Sequence, residues 1–416
     1  MSQSSPPFAV NLRKTCRALA GWGPGLLVML ADCDAGNVVT AAQSGAQWGI
    51  RLLPLLLSLA VLLYMVQALC VRLGIVSGRG FGSLVRERFG PGWAAMTAAA
   101  LVVAVMSSLV TEFTGIAGIG EMYGVPRAAS LSLAAVLLLA VVLTGSSKRV
   151  DRVAMFIGLF ELAFFVVAWR ARPDWPTLVR QLSDLPVRHA QFAYLAAALI
   201  GATFNPWMIF YQQAAIADER RSLSDFRSAR VETAVGAVLT QLLTGAVLVA
   251  AAATLPQWGG SLGLQSVGEI AAAFFGVAGE EAGRLIFSVG VLGASLVAAI
   301  VCSLALAWGL GEVAGYQGSL EAPPTRAPWF YGVYAVAVAS SAGLVGFMPN
   351  LVSVNVAAQV VNALLLPFVV GPLIVLGIVA LPAAHRLRGV YRWAVCLCAA
   401  AACVAGIVGA AAGWFA

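Results

Sequence analysis

Two carboxylates and an amide stand close together in an otherwise apolar stretch near the start of the chain. Asp32, Asp34 and Asn37 lie in a hydrophobic run that begins near Trp22 and continues past Val39. Their carboxylate and amide oxygens are of the kind that bind hard cations. An ionised aspartate at the centre of a bilayer costs about 2.5–3.5 kcal/mol on insertion scales, so it persists only where protein or water surrounds it. The stretch therefore predicts polar side chains that face a cavity rather than lipid.

This stretch and a second one both predict interrupted helices. Gly36 and the short polar residues beside it continue a helix poorly, so the freed backbone groups are expected to face a cavity. Farther along the chain, Pro206 follows Asn205 inside another apolar run. Proline lacks an N–H group and its ring clashes with the preceding turn, so this helix breaks as well. Paired interruptions in two halves of a chain predict a binding site between inverted repeats.

The composition places these helices in a membrane. Hydrophobic residues make up 61% of the 416 residues and charged residues 10%, with a mean hydropathy of +0.90. Soluble domains carry about 25% charged residues. Apolar runs of spanning length predict an all-α integral membrane protein with eleven transmembrane helices, the first and sixth of them broken. The runs are Ala18–Gly45, Leu52–Val71, Trp93–Tyr123, Ala128–Thr144, Val153–Ala168, Phe192–Ile216, Ala234–Ala253, Leu285–Leu310, Trp329–Phe347, Val354–Leu381 and Trp393–Phe415.

The spans divide into two blocks of five. After a cytoplasmic tail of residues 1–17, the first predicted repeat takes residues 18–168 and the second takes residues 189–381. A loop of residues 169–188 joins the repeats, and residues 382–416 hold a further loop and the eleventh span. Each repeat then opens with a broken helix, as inverted-repeat carriers do.

Basic residues predict the orientation. With the N-terminus in the cytoplasm, 18 of the 25 Lys and Arg residues fall on the cytoplasmic side of the spans, which is the bias typical of cytoplasmic loops. We therefore expect a multi-pass protein of the bacterial inner membrane, N-terminus inside and C-terminus outside, that functions as a monomer in the lipid bilayer. The net charge of +7 then follows from topology, which argues against a nucleic-acid partner.

The sequence does not favour an enzyme. Its two histidines, His189 and His385, lie near predicted helix ends, so histidine-based acid–base chemistry inside the bilayer is not expected. The seven cysteines form no C-x-x-C pair, so neither a disulfide framework nor a zinc site is predicted. No cluster of nucleophile and base and no phosphate-binding loop is present, and a sensor stays open as an alternative. We expect no cofactor, apart from a bound divalent cation or Na⁺.

Four stretches resemble the natural resistance-associated macrophage protein (NRAMP) family of divalent metal transporters, and the resemblance covers all eleven spans. The family implies a LeuT-type fold of five plus five inverted repeats with helices 1 and 6 broken. The matching stretches are Gly23–Leu27 leading into Asp34–Asn37, Val71–Gly78, Gly201–Gln212 and Gln359–Phe368.

The resemblance implies which residues form the site. In the first span the family motif is Asp-Pro-Gly-Asn, and Asp34, Gly36 and Asn37 match it while Ala35 replaces the proline. In the sixth span the motif is Ala-x-x-Met-Pro-His, and Ala202 and Pro206 match it. The implied site consists of Asp34, Asn37 and Asn205 as metal ligands, the carbonyls of Ala31 and Ala202, Trp207 beside them, and Gln359 approaching from the tenth span.

The sixth span departs from the family pattern. Asn205 stands at the methionine position, Trp207 at the first histidine position and Gln212 at the second. A methionine thioether is a soft ligand that favours transition metals, whereas an asparagine offers a hard oxygen, so Mg²⁺ or Ca²⁺ becomes more plausible than Mn²⁺ or Fe²⁺. Glu112 matches an acidic position of the family's proton route, but Leu109 replaces its companion. We therefore expect weakened or absent proton coupling.

Further polar residues have alternative roles. Asp32 either contacts the substrate or is a hydrogen-bonded cavity residue that supports the site. Glu112 either compensates charge on an ion path or makes a structural hydrogen bond, and Glu121 and Glu161 are expected near helix ends, solvated or paired. Asn362 either closes the site or joins helices. Three other residues that flank the breaks are expected to satisfy freed backbone groups, namely Thr40, Thr203 and Tyr211.

Two functions of different kinds fit these residues. The first is alternating-access transport of a hard divalent cation held between the breaks. The second keeps the fold but carries a small non-metal solute, such as bicarbonate, a short carboxylate or an organic amine. In that case Asp34 and Asn37 hold a coupling cation such as Na⁺, and the positive ends of half-helices attract the solute. Trp207 would pack against an organic group.

Overall fold

The computed structural model describes residues 24–255, 264–316, 320 and 322–414. Ten helices or helix pairs in this part of the chain are long and apolar enough to cross a membrane, and an eleventh apolar helix of 16 residues, Arg127–Val142, is shorter. Each predicted span coincides with one of them, as far as the described residues extend. The predicted all-α membrane architecture is therefore confirmed. The expected tail of residues 1–17 lies outside the described residues.

The helices follow one another with short connections. They are α1 (Pro24–Leu30), α2 (Ala35–Trp48), α3 (Leu53–Ser77), α4 (Phe81–Phe89), α5 (Pro91–Met122), α6 (Arg127–Val142), α7 (Ser147–Gly158), α8 (Ala163–Arg170), α9 (Trp175–Arg180), α10 (Ala190–Thr203), α11 (Pro206–Asp218), α12 (Phe226–Thr254), α13 (Val267–Ala278), α14 (Glu280–Ala314), α15 (Pro328–Gly346), α16 (Leu351–Val379) and α17 (Gly389–Trp414).

The first span is broken between α1 and α2, as the sequence predicts. Asp34 is the N-cap of α2 in an extended conformation, and its Oδ1 accepts a hydrogen bond of 2.7 Å from the backbone N–H of Asn37. A capping carboxylate satisfies one of the amides that a new helix leaves unpaired. The backbone N–H of Ala35 donates to Glu112 Oε2 on α5 at 3.2 Å. The freed amides of this break therefore find partners inside the protein.

The sixth span is broken between α10 and α11. Asn205 is extended and precedes Pro206, which opens α11. Proline suits the first turn of a helix, because its missing N–H would be unpaired there in any case. In a continuous helix the Ala202 carbonyl would accept a hydrogen bond from residue 206. Proline cannot donate it, so the Ala202 carbonyl is left for other donors.

Glycines bring α16 close to both breaks. A Cβ atom added to Gly36 would overlap Gln359 Nε2, and one added to Gly201 would overlap the Gln359 carbonyl and lie 2.7 Å from the backbone nitrogen of Ala363. The close approach of α2, α10 and α16 therefore depends on glycine at these two positions. This packing carries Gln359 and Asn362 to the interrupted segments.

The fifth span differs from expectation at one residue. A 3₁₀ segment, Leu159–Leu162, joins α7 to α8 in the middle of this span, and it contains Glu161. Glu161 is fully buried, and neither carboxylate oxygen has a hydrogen-bond partner. The expectation that Glu161 lies near a helix end, solvated or paired, is wrong, because the helical segments continue on both sides of it.

Candidate ion-binding site

Six polar side chains from the two breaks and from α16 converge in the interior of the bundle. All are at most 2% exposed, so water does not reach them in this conformation. They are Asp32, Asp34 and Asn37 from the first break, Asn205 from the second, and Gln359 and Asn362 from α16. The sequence predicts that the two interrupted segments and the tenth span meet at one site, and in the structure their side chains do lie together.

Asn37 links the two interrupted helices. Its Nδ2 donates to the backbone carbonyls of Asp32 and of Ala202, the latter at 3.0 Å. Both amide hydrogens are thereby used. The Asn37 Oδ1 is buried and has no hydrogen-bond partner, so it is available to a cation.

Asn205 is held by three hydrogen bonds. Its Nδ2 donates to the Ala202 carbonyl at 3.0 Å. Its Oδ1 accepts from Ser108 Oγ at 3.2 Å and from Asn362 Nδ2 at 2.6 Å. A carbonyl oxygen has two lone pairs, so both are occupied. Asn205 is therefore not free to serve as the metal ligand implied by the family resemblance unless Ser108 or Asn362 releases it.

The carbonyl of Ala202 is occupied as well. It accepts from the side chains of Asn37 and Asn205, each at 3.0 Å. These amides replace the helical donor that Pro206 cannot provide. The Ala202 carbonyl at the second break is thus satisfied by side chains inside the protein.

Trp207 is buried at the start of α11. It is fully enclosed, and its indole Nε1 donates to Ser108 Oγ at 3.1 Å. Ser108 therefore joins Trp207 to Asn205. The bulky ring fills the position where the family carries a histidine and makes a fixed structural contact there.

Gln359 and Asn362 lie on α16, one turn apart. Asn362 Nδ2 donates to Gln359 Oε1 at 3.0 Å as well as to Asn205. Gln359 Nε2 has no hydrogen-bond partner, and neither does Asn362 Oδ1. Both residues therefore reach the site and close it against the sixth span.

The two aspartates carry unpaired oxygens. Asp34 Oδ2 and both carboxylate oxygens of Asp32 are buried without a hydrogen-bond partner. The Asp32 carboxyl faces the side chain of Asn205 and lies within electrostatic range of Asp34. None of the ion pairs in the described part of the chain includes either aspartate. The first break thus presents two buried carboxyl groups without a cationic partner to the gap between the breaks.

Glu112 lies beside the first break. Its Oε1 accepts from Thr111 Oγ1 at 3.1 Å, in addition to the Oε2 contact with the Ala35 amide. The expected alternatives were an ion path and a structural hydrogen bond, and the observed contacts support the structural one. Its carboxyl is also within reach of the Asp34 carboxyl.

Two predicted residues lie away from the breaks. Gln212 Nε2 donates to Thr233 on α12 at 3.0 Å. The Tyr211 ring lies against Trp308, with ring centroids 5.6 Å apart. Trp308 in turn lines a cavity of about 390 Å³ at the far end of α11. Both positions are more than one turn beyond Pro206, so Tyr211 does not serve the freed backbone groups as expected. Thr203 ends α10 at the break, and its buried hydroxyl has no partner.

Sequence reasoning missed Ser108. It stands one turn before Glu112 on α5 and contacts both Asn205 and Trp207. Ser108 lies four residues before Glu112, and residues at this spacing share a helix face. That spacing could have indicated that Ser108 faces the same interior region as Glu112.

The arrangement restricts how a cation is held. Among the described residues, no group of three or more His, Cys, Asp or Glu side chains is placed to bind a metal ion. The unpaired oxygens within the first break belong to the carboxyls of Asp32 and Asp34 and to the Asn37 amide. Mg²⁺ commonly binds with one or two carboxylates and several retained waters.

Comparisons with known proteins give the same family. Residues 25–411 match the family model described as natural resistance-associated macrophage protein-like. The divalent metal cation transporter MntH of Agrobacterium fabrum is 25% identical over 377 residues, covering 86% of this chain and 79% of that protein. MntH of Ralstonia nicotianae is 32% identical over 248 residues, covering 56% of this chain and 55% of its own length.

Solved structures share the fold. A variant of the Eremococcus coleocola manganese transporter superposes with a TM-score of 0.73 at 18% identity, covering 96% of this chain and 88% of that chain. MhsT in complex with L-phenylalanine gives a TM-score of 0.63 at 14% identity, covering 94% and 98%. With a family model that spans nearly the whole described chain, this protein belongs to the natural resistance-associated macrophage protein (NRAMP) family of membrane transporters.

Proposed function

We propose that this chain carries a hard divalent cation of the Mg²⁺ or Ca²⁺ kind by alternating access, as a secondary-active or facilitated carrier. The observation that supports this most directly is the set of unpaired buried oxygens on Asp32, Asp34 and Asn37. Unpaired buried carboxylates are costly unless a cation or proton joins them. A divalent cation from the family's substrate class satisfies them.

The ligand chemistry supports a hard ion. The side chains that converge between the breaks offer oxygen and nitrogen, and Asn205 stands where the family resemblance places a methionine. The nearby thiol of Cys33 is within hydrogen-bond reach of Thr244 on α12. Without a sulfur ligand, the selectivity for softer transition metals is reduced.

We further propose that proton coupling is weak or absent. Trp207 and Gln212 occupy the histidine positions, so the side chains that titrate near neutral pH are missing there. Leu109 is buried at the position of the companion acid. Glu112 alone remains, and it is engaged by the Ala35 amide and Thr111.

The orientation and assembly are part of the proposal. The excess of basic residues on one side supports an N-terminus in the cytoplasm and a C-terminus outside. We place the protein in the bacterial inner membrane as a functional monomer.

The test is uptake into proteoliposomes. Purified protein should take up Mg²⁺, Ca²⁺ and Mn²⁺, with Mg²⁺ or Ca²⁺ competing at lower concentration than Mn²⁺. Uptake should not acidify the lumen, which an enclosed pH dye reports. Asp34→Ala should abolish uptake. Uptake equal to that of empty liposomes for every divalent ion would exclude the proposal.

One observation favours a second candidate, a small solute carried with Na⁺. The N-terminus of α11 has no side-chain cap, so its positive end attracts an anion such as bicarbonate or a short carboxylate. Asp34 and Asn37 would then hold Na⁺, and an organic amine would pack against Trp207. Thermal stabilisation by Na⁺ with bicarbonate, and none by divalent ions, would favour this candidate over the first.

A further inference from the structure

We propose that Asp32 supplies the second carboxylate of the cation site, so that the first break alone holds the ion. This inference rests on the proposed function, because it names the ligands of the same site. It replaces the sixth-span side chain, which the family resemblance implies as a ligand, with a residue from the first span.

The first break carries both unpaired carboxyl groups of the site. Asp32 contributes two unpaired oxygens, Asp34 one and Asn37 one, and all are fully buried. At the second break, the Asn205 and Ala202 oxygens each accept two hydrogen bonds, and the unpaired oxygens on that side are the Thr203 hydroxyl and Asn362 Oδ1, which carry no charge. A cation placed in the gap therefore finds free carboxyl oxygens on the first break, whereas the two second-break oxygens that the family resemblance implies as ligands are occupied.

The local backbone explains how Asp32 and Asp34 act together. Residues two apart on a helix do not share a face, but residues 31–34 are not helical, and Asp34 is extended. Asp32 and Cys33 lie in a turn in which their backbone N–H groups donate to the carbonyls of Met29 and Leu30. From this turn the Asp32 carboxyl reaches the side chain of Asn205 and lies within electrostatic range of Asp34, while the Cys33 thiol reaches Thr244.

The hydrogen bonds of Asn37 independently support a cation site at the first break. It is not an acid, and both of its amide hydrogens are fixed by the carbonyls of Asp32 and Ala202. This leaves its Oδ1 unpaired beside the two aspartates. The amide cannot be flipped without turning its oxygen toward those two carbonyl oxygens. A cation is the partner that satisfies Oδ1 and both carboxylates together.

The charge and the number of the protein ligands indicate which kind of ion the site would hold. Two carboxylates match a divalent cation, and no arginine or lysine forms an ion pair with them in the described chain. Four protein oxygens do not complete the shell of Mg²⁺ or Ca²⁺, so water provides the remaining ligands.

The experiment compares isosteric variants in the full-length protein. Binding of Mg²⁺ and Ca²⁺ is measured by calorimetry in detergent, and uptake is measured in liposomes. Asp32→Asn should weaken binding by at least about tenfold, as Asp34→Asn should. Cys33→Ser is the matched control, because Cys33 lies between the two aspartates and its thiol reaches Thr244, and it should bind within about threefold of the parent. Equal melting temperatures and monodisperse elution confirm that the variants are folded.

The outcomes separate this inference from the proposed function. If the parent binds and transports a divalent ion and Asp32→Asn does so within about twofold, Asp32 is not a ligand, while the function stands. If the parent handles no divalent ion, the proposed function fails and this inference fails with it. If Asp32→Asn melts much lower than the parent, Asp32→Glu decides: retained binding with altered Mg²⁺ to Ca²⁺ preference supports coordination, and unchanged preference contradicts it.

Discussion

The side-chain amide of Asn37 donates to the backbone carbonyl of Ala202 across a distance of 3.0 Å. This contact joins the first interrupted helix directly to the second. It exists because Pro206 removes the helical donor that the Ala202 carbonyl would otherwise have. The two interruptions are therefore coupled by one hydrogen bond, and several predictions depend on it.

Asn37→Asp should abolish divalent uptake and lower the melting temperature. A carboxylate cannot donate, so the Asp32 carbonyl loses its partner, at about 1–3 kcal/mol for an unsatisfied buried group, while the Ala202 carbonyl keeps the hydrogen bond from Asn205. Uptake assays and thermal denaturation measure the two effects. Ser132→Ala, at an exposed position on α6, should change neither. An Asn37→Asp protein with parental stability would contradict the described contacts.

Gly36→Ala should inactivate the carrier through Gln359. The added methyl would overlap Gln359 Nε2, and overpacking of this kind costs about 1–3 kcal/mol. The double variant Gly36→Ala with Gln359→Ala should recover part of the lost thermal stability, because the overlap with Gln359 is removed and only Asp34 Oδ1, 2.9 Å from the added Cβ atom, still has to shift. Gly371→Ala on the same helix as Gln359 meets no atom within 4 Å and is the control. Failure of the double variant to recover stability would place the strain elsewhere.

Pro206→Ala should leave a folded protein with reduced transport. The new N–H competes with Asn37 and Asn205 for the Ala202 carbonyl, so the sixth span becomes more continuous. We expect uptake to fall by about tenfold or more while stability changes little. Pro54→Ala, in the first turn of α3, should leave uptake unchanged. Parental uptake by Pro206→Ala would show that the break is not required.

Asn205→Met should shift selectivity toward soft ions. The thioether removes the hydrogen bonds to Ser108 and Asn362 and offers sulfur to the gap, which favours Mn²⁺ and Cd²⁺ over Mg²⁺. The ratio of Cd²⁺ to Mg²⁺ uptake should rise several-fold, and Asn205→Leu, similar in size but without sulfur, controls for the lost hydrogen bonds. Equal ratios in the two variants would mean that residue 205 does not face the ion.

Much of this architecture is predictable from the sequence, for physical reasons. Apolar length identifies the spans, and Pro206 identifies the second break, because both depend on local properties of the chain. The site residues Asp34 and Asn37 follow from polar atoms at bilayer depth together with the family motif.

The sequence does not predict whether the lone pairs of a polar side chain are already used in hydrogen bonds to other residues. The sequence predicts Asn205 as an open ligand, and only the convergence of α5 and α16 shows that Ser108 and Asn362 occupy its lone pairs. Glu161 is misplaced for a similar reason, since its burial depends on the helices packed around a 3₁₀ segment. Contacts between distant parts of the chain decide both cases.

The side-chain hydrogen bonds at the second break have a consequence for the transport cycle. Asn37, Asn205 and Asn362 take over partners that water would otherwise supply, so the closed site is dry on that side. Separating the two interrupted helices exposes these groups together, and each must then bind water to avoid a large desolvation cost. Opening of the carrier and wetting of its interior are therefore a single event, and the rate of ion release should depend on how readily water enters between α10 and α16.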